Sequence, residues 1–153
     1  MTLANRLAVA AATLLLSGGM ITPRSYGAPD KAEYELQERC GRRASEMFEK
    51  GYASGFETTD NGYRTYTYEN NYNVALNKCY MVIKTTTHGR GNKSDPPYDV
   101  IDKELRDVNS NRQIGYVVYL NGQPPKPGSC EVANRPCQSS EGWDALAAPF
   151  MDW

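Results

Sequence analysis

The chain has 153 residues, of which 40% are hydrophobic and 23% are charged, and its formal net charge is −1. These values are typical of a folded, water-soluble protein and exclude a disordered chain or a bundle of membrane spans. The small net charge argues against a strongly basic nucleic-acid-binding protein. A single His and four Cys leave little material for a metal centre or a conventional catalytic triad.

The N-terminal segment has the pattern of a secretory signal peptide. A basic start precedes an almost unbroken apolar run over 7–16, and a small-residue stretch follows. The run is shorter than the roughly 20 apolar residues needed to span a bilayer. Small residues at Ser25 and Gly27 predict cleavage into a signal peptide 1–27 and a mature domain 28–153. The alternative is a buried helix of the folded domain.

Export predicts a periplasmic or secreted location. Without the signal peptide the chain has 15 basic and 18 acidic residues and no second apolar run of membrane length. We therefore expect no membrane span in the mature chain and no nucleic-acid partner.

Four segments in the first part of the chain have clear patterns. Apolar residues of 32–50 recur at helical spacing, which predicts a helix with Cys40 on its buried side. The stretch 58–62 has turn residues. After it, Tyr66, Tyr68 and Tyr72 alternate with polar residues, which predicts a strand. The segment 77–87 is the strongest predicted strand because Val, Ile and Thr are enriched there.

The second part of the chain alternates between loops and strands. The segment 88–97 contains Gly and Pro and is predicted as a loop. For 98–108 both strand and helix fit, and strand is favoured. A turn at 109–112 precedes a strand at 113–120, and a Pro-rich connection follows at 121–129.

A last helix is predicted after Ser139 or Ser140, either of which would cap it, and Pro149 should end or kink it. The elements predict one α+β domain. It has an antiparallel sheet of about four strands, flanked by an N-terminal and a C-terminal helix that both pack on one face.

In an oxidising compartment the even number of cysteines predicts two disulfides. Four Cys allow three pairings, of which the spacing favours Cys40–Cys79 and Cys130–Cys137. A zinc site would need closer Cys pairs, and a thiol-redox centre would need C-x-x-C. No metal and no cofactor are expected.

Few side chains point to catalysis. His88 is the sole imidazole, and its expected place is an exposed loop. Asp99, Asp102 and Glu104 are carboxylates that general acid–base chemistry could use. In a strand Asp102 and Glu104 would share one face and Asp99 would lie on the other. No serine lies in a nucleophile-elbow context.

Two binding-loop patterns fail on inspection. Asp107, Asn109 and Asn111 match the first positions of a calcium loop, but Arg112 and Val118 replace the required Gly and Glu. The Gly-rich segment 88–97 lacks the spacing of a phosphate-binding loop. Both segments are better explained as turns and loops of a sheet.

Three tyrosines are the candidate contact surface. Tyr66, Tyr68 and Tyr72 share one strand face, and Tyr supplies a large contact area at low entropic cost. The alternative is that they pack beneath a helix. If exposed, this face would suit an envelope protein or a glycan as partner.

The sequence resembles a group of small exported proteobacterial proteins of unknown function. The resemblance rests on a Cys-containing first helix, the segment 69–80 (ENNYNVALNKCY), and a C-terminal tail running from Cys130 and Cys137 to residues 149–152. Relatives often have His where this chain has Asn71. The resemblance implies the same cystine pairing and no specific activity.

Together these features predict an exported, non-catalytic module that binds a partner. The alternative is a small hydrolase acting on the envelope, or an inhibitor of one.

Overall fold

The computed structural model describes residues 31–52, 55–93 and 96–151. The predicted signal peptide lies outside these ranges. The described elements, in chain order, are α1 (Lys31–Tyr52), β1 (Phe56–Thr59), β2 (Gly62–Asn73), β3 (Lys78–Gly89), β4 (Tyr98–Asp107), β5 (Arg112–Leu120), β6 (Cys130–Val132), β7 (Arg135–Pro136) and α2 (Ser140–Met151). The strands form one antiparallel sheet in which each pairs with the next in sequence.

The α+β class is confirmed, but the described sheet has seven strands rather than about four. Strand β1 begins before the predicted turn at 58–62, and only Asp60 and Asn61 separate it from β2. Strands β6 and β7 form a hairpin across Ala133 and Asn134, whose φ angles are 50° and 62°. This left-handed turn is usually built from Asn and Gly, so the Ala-Asn pair gave no turn signal.

Strand β3 runs two residues further than the predicted segment 77–87. His88 lies within β3, paired with Tyr63 on one side and Asp99 on the other, so its assignment to a loop was wrong. The favoured strand over 98–108 is confirmed as β4, with a register shift between Leu105 and Arg106.

The two helices pack on opposite faces of the sheet, which corrects the expectation that both share one face. Alternate residues of a strand point to opposite faces. In β3, Met81 and Ile83 pack with Cys40 and Ala44 of α1, whereas Val82 packs in a separate cluster with α2. Residues 79–83 are all buried because both faces of β3 are covered.

Helix α2 is held at both ends. The Ser139 hydroxyl oxygen accepts a hydrogen bond from the Gly142 N–H at 3.0 Å, so Ser139 caps the helix. The helix continues past Pro149 to Met151 and is therefore not ended by the proline. The buried Asn73 amide donates to the Pro149 carbonyl oxygen at 2.8 Å, which satisfies a helix-end carbonyl.

Both predicted disulfides are present. Cys40–Cys79 joins α1 to β3 with a Cα–Cα distance of 5.4 Å, and Cys130–Cys137 links β6 to the segment before α2 at 5.1 Å. The first bond fixes the position of α1 on the sheet.

Candidate functional site

The tyrosines expected as a contact surface lie beneath α1. Tyr68 and Tyr72 pack against the cluster that contains Cys40, and the Tyr68 ring centre lies 4.5 Å from that of Phe48 in a tilted arrangement. The Tyr66 ring lies 4.9 Å from that of Tyr52. All three are half-buried. Their rings pack between the helix and the sheet, and Tyr72 also lines a small cavity beside Arg39 and Asn109.

An open groove lies on the other side of α1. It has a volume of about 670 Å³ and runs between the C-terminal half of α1 and the β4–β5 turn. Its apolar floor is formed by Met47, Ile83 and Val108. A smaller cavity of about 150 Å³ continues it towards the start of α1, and the two share Arg43 and Asn109. Helix α1 packs mainly on β2 and β3, and the groove lies on the side of the helix towards the end of β4.

Basic side chains line this groove, which we call the α1 groove. Arg39, Arg43 and Lys50 follow one stripe of the helix, and Arg106 faces them from β4. Arg39, Arg43 and Lys50 are exposed and make no ion pair with any described residue. Glu46 is the one acidic residue among the groove-lining side chains of the described chain. Three cations without an ion pair to a described residue thus lie along one surface of a protein whose net charge is −1.

The β4–β5 turn orients two of the guanidinium groups. Arg43 donates to the Asn109 side-chain oxygen at 2.6 Å, and Arg106 donates to the Asn111 side-chain oxygen at 2.9 Å. Arg106 also donates to the Glu104 carboxylate at 2.7 Å. Asp107 accepts hydrogen bonds from the Asn109 and Ser110 N–H groups, as expected for a turn rather than a calcium loop.

Two of the candidate carboxylates lie beside the groove. Asp102 and Glu104 share the α1 face of β4, as predicted, because they pair with Thr85 and Ile83 of β3. Burial, with a contribution from the nearby Glu104 charge, raises the pKa of Asp102. Burial and the Glu104 charge also raise the pKa of the Tyr52 hydroxyl, which places Tyr52 near this pair.

Asp102 and Asp107 should make opposite contributions to the pH dependence of stability. Burial acts to raise the pKa of Asp107, but hydrogen bonds from Ser110, Lys78 and Asn109 outweigh it and lower the pKa. A lowered pKa stabilises the fold above the unfolded value of about 4, and this stabilisation is lost as pH falls. A raised pKa has the reverse effect, since stability falls as pH rises through the folded value.

We therefore expect Asp107→Asn to destabilise the protein by about 1–2 kcal/mol at pH 7, with a smaller loss near pH 3. Asp102→Asn should instead stabilise it at pH 7 by up to about 1 kcal/mol, because the group is only partly buried. Urea unfolding of the two variants at pH 3 and pH 7 measures both effects. The same sign of change in the two variants at pH 7 would contradict this assignment.

The sole imidazole lies at the far end of the sheet, on the α2 face. His88 Nδ1 is 2.7 Å from an Asp99 carboxylate oxygen, and its ring stacks 4.4 Å from that of Tyr63. Asp99 therefore orients the ring, which a general base would also need. Asp99 and His88 pair directly across β3 and β4, so this pair lies on the opposite face from Asp102 and Glu104.

Within the described ranges, no group of three or more His, Cys, Asp or Glu residues could hold a metal ion. All four cysteines are in disulfides. Neither described helix combines the length and apolar character needed to cross a membrane.

The basic residues of the α1 groove were not singled out from the sequence. Net charge and the search for basic tracts both miss them, because acidic residues are interspersed along α1. The available signal was the spacing of Arg39, Arg43 and Lys50, which places them on one side of a helix. The contribution of Arg106 depends on tertiary structure and could not be found that way.

Comparison of the chain with protein-family models, with curated proteins and with solved structures found no match.

Proposed function

We propose that this protein is an exported, non-catalytic module that binds an anionic partner in the α1 groove. The observation that carries the proposal is the stripe of Arg39, Arg43 and Lys50 along an open groove with an apolar floor. Unpaired cations beside apolar surface suit a ligand that supplies both negative charge and apolar contact.

The geometry supports binding in preference to bond-making. Asn109 and Asn111 hold two of the guanidinium groups in place, so less side-chain freedom is lost when a ligand arrives. A planar guanidinium can grip a carboxylate or phosphate through two parallel hydrogen bonds. Each exposed ion pair contributes only about 0.2–1 kcal/mol, so several must act together.

Two disulfides and the predicted signal peptide support export. We propose a periplasmic or secreted location, which membership of the small exported proteobacterial proteins that the sequence resembles would also imply. The contact surface proposed here is the α1 groove, in place of the tyrosine face.

Charge reversal in the groove tests the proposal. We expect Arg43→Glu to weaken binding of fluorescein-labelled poly-L-glutamate about tenfold or more in a fluorescence anisotropy titration, because it removes one cation and adds one repulsive anion. Binding by the unaltered protein should also weaken between 50 and 300 mM salt, since exposed charges are screened.

Arg135→Glu is the matched control. It makes the same change in net charge at an exposed position of β7. Arg135 pairs with Val132 of β6, which belongs to the α2 cluster, so the control lies away from the α1 groove. Binding in this variant should stay within about twofold of the original. Equal losses in the two variants would mean that the effect is general electrostatics, and the groove would be rejected as the site.

A small hydrolase is the second candidate, and one observation favours it. The pKa of Asp102 is raised, whereas the neighbouring Glu104 accepts a hydrogen bond from Arg106. Acid–base catalysis by two carboxylates needs such a difference in environment. Turnover of envelope glycans or peptides that Asp102→Asn abolishes, with folding intact, would favour the hydrolase. Turnover lost in His88→Ala would instead assign the chemistry to the His88–Asp99 pair.

A further inference from the structure

The spacing of the groove cations points to an extended acidic polypeptide segment as the ligand, and we propose that its carboxylates follow a defined spacing. The inference rests on the proposed function and narrows the class of anion. The proposed ligand is a stretch of polypeptide with carboxylates at its first and third positions. Its fifth residue is apolar, and its sixth residue carries the third carboxylate.

Helix geometry sets the first interval. Arg39 and Arg43 are four residues apart on α1, which is about 6 Å along the helix axis. Side chains two residues apart on an extended strand are separated by about 6.6 Å and point to the same side. An extended peptide lying along α1 can therefore present one carboxylate to each arginine.

The apolar floor sets the next position. Met47 lies one further helical turn along the stripe, about 6 Å beyond Arg43, and borders the floor with Ile83 and Val108. A fifth ligand residue that is apolar would lie over this floor. Met is well suited to the contact because its flexible thioether adapts to different side chains.

Lys50 accounts for the third carboxylate. It lies about 10 Å beyond Arg43 along the axis, close to three residues of an extended chain. Because its ammonium group is carried on a long flexible stem, Lys50 can reach a carboxylate at the sixth position on the rim. The resulting pattern is acidic, any, acidic, any, apolar, acidic, in either chain direction.

The floor also argues against an anionic glycan. Sugar rings pack their C–H groups on the faces of aromatic rings, where the electron density is negative. Two aromatic side chains line the described part of the groove, Tyr52 in the larger cavity and Tyr72 in the smaller one. Both rings already pack against other side chains, Tyr52 against Phe48 and Tyr66, and Tyr72 against the cluster that contains Cys40. The remaining floor is aliphatic and matches a peptide side chain.

The test uses labelled peptides and the full mature chain. The probe is fluorescein-Asp-Ser-Asp-Ser-Leu-Asp, made also in the reverse order, and its control has the same composition with the three acidic residues adjacent. We expect the better of the two spaced peptides to bind at least fivefold tighter than the control in fluorescence anisotropy. Replacing the peptide's Leu by Ser should weaken binding threefold or more, because it removes the contact with the floor.

A double-mutant cycle fixes the register. The second peptide has Ser in place of the terminal Asp that is assigned to Arg39. Arg39→Ala should weaken binding of the original spaced peptide threefold or more. The same variant should leave the affinity for the Ser-substituted peptide unchanged. Arg39 is exposed, so the variant should fold normally. Equal losses for both peptides would show that Arg39 does not read that position, and the spacing rule would be rejected.

The remaining outcomes distinguish failure of the peptide-spacing inference from failure of the proposed anion-binding function. If polygalacturonate binds in an Arg43-dependent way and no peptide does, the polypeptide assignment is overturned while the anion-binding function stands. If spaced and adjacent acidic peptides bind equally, the defined spacing is overturned. If neither peptides, poly-L-glutamate nor polygalacturonate bind, the proposed function itself fails.

Discussion

Replacing Cys40 and Cys79 together by Ala should lower the free energy of unfolding by about 4 kcal/mol, whereas the same change at Cys130 and Cys137 should lower it by about 2 kcal/mol. The difference arises because the first bond closes a loop with a sequence separation of 39 and the second one of 7. The longer cross-link removes more conformational freedom from the unfolded chain. Packing adds to the first loss, since Cys40 of α1 and Cys79 of β3 are both buried between the helix and the sheet.

Urea unfolding of the two double variants measures these losses, and each should also show a larger denaturant dependence because its unfolded chain is less compact. The Cys40–Cys79 bond fixes α1, so its removal should also weaken poly-L-glutamate binding. Removal of the Cys130–Cys137 bond, which lies with the α2 cluster, should leave that binding unchanged. Equal losses of stability would refute the ordering.

The local elements were predictable because their signals are local. The apolar stripe through Leu36, Cys40 and Ala44 is complete within one helix, and the alternation around Tyr68 is complete within one strand. By contrast, β6 and β7 are only three and two residues long, too short to show a period. They exist because β6 pairs with β5, β7 pairs with β6, and the short disulfide closes the hairpin.

The sequence contains a signal for helices on both faces of the sheet, but our prediction did not use it. Residues 79–83 of β3 are apolar without interruption, a pattern typical of a strand covered on both faces. Simple alternation would bury Cys79, Met81 and Ile83 alone and would place both helices on one side of the sheet. Tyr80 and Val82 are the residues that required a second layer.

The candidate site was predictable in its parts but not in its assembly. The α1 groove combines Arg43 with Asn109, two residues separated by 66 positions, and their hydrogen bond depends on the docking of α1 on the sheet. Periodicity describes one element at a time and cannot show which elements meet. The tyrosines were correctly placed on one strand face, but the sequence could not decide whether a helix covers that face.

Trp143→Ala should lower the free energy of unfolding by about 3–5 kcal/mol, a large part of the roughly 5–15 kcal/mol typical of a domain. Trp143 is fully buried and packs in one cluster with Leu105 and Val117, so it joins α2 to the sheet. Truncation removes a large apolar contact and leaves a cavity that the surrounding strands can only partly close. The Lys103 ammonium lies 5.2 Å from the centre of the indole ring and adds a smaller cation–π contribution.

Two variants separate packing from the other contributions in the same urea unfolding experiment. Trp143→Phe retains an aromatic ring and should cost clearly less than Trp143→Ala. Lys103→Met removes the cation–π contact together with the Lys103–Asp144 ion pair and should cost about 1 kcal/mol. Because α2 and the α1 groove lie on opposite faces, Trp143→Ala should still bind poly-L-glutamate within about twofold under conditions where it is folded. If Trp143→Ala lowers the free energy of unfolding no more than Lys103→Met does, the indole does not hold α2 to the sheet. If the folded Trp143→Ala variant loses poly-L-glutamate binding, the two faces are coupled through β3.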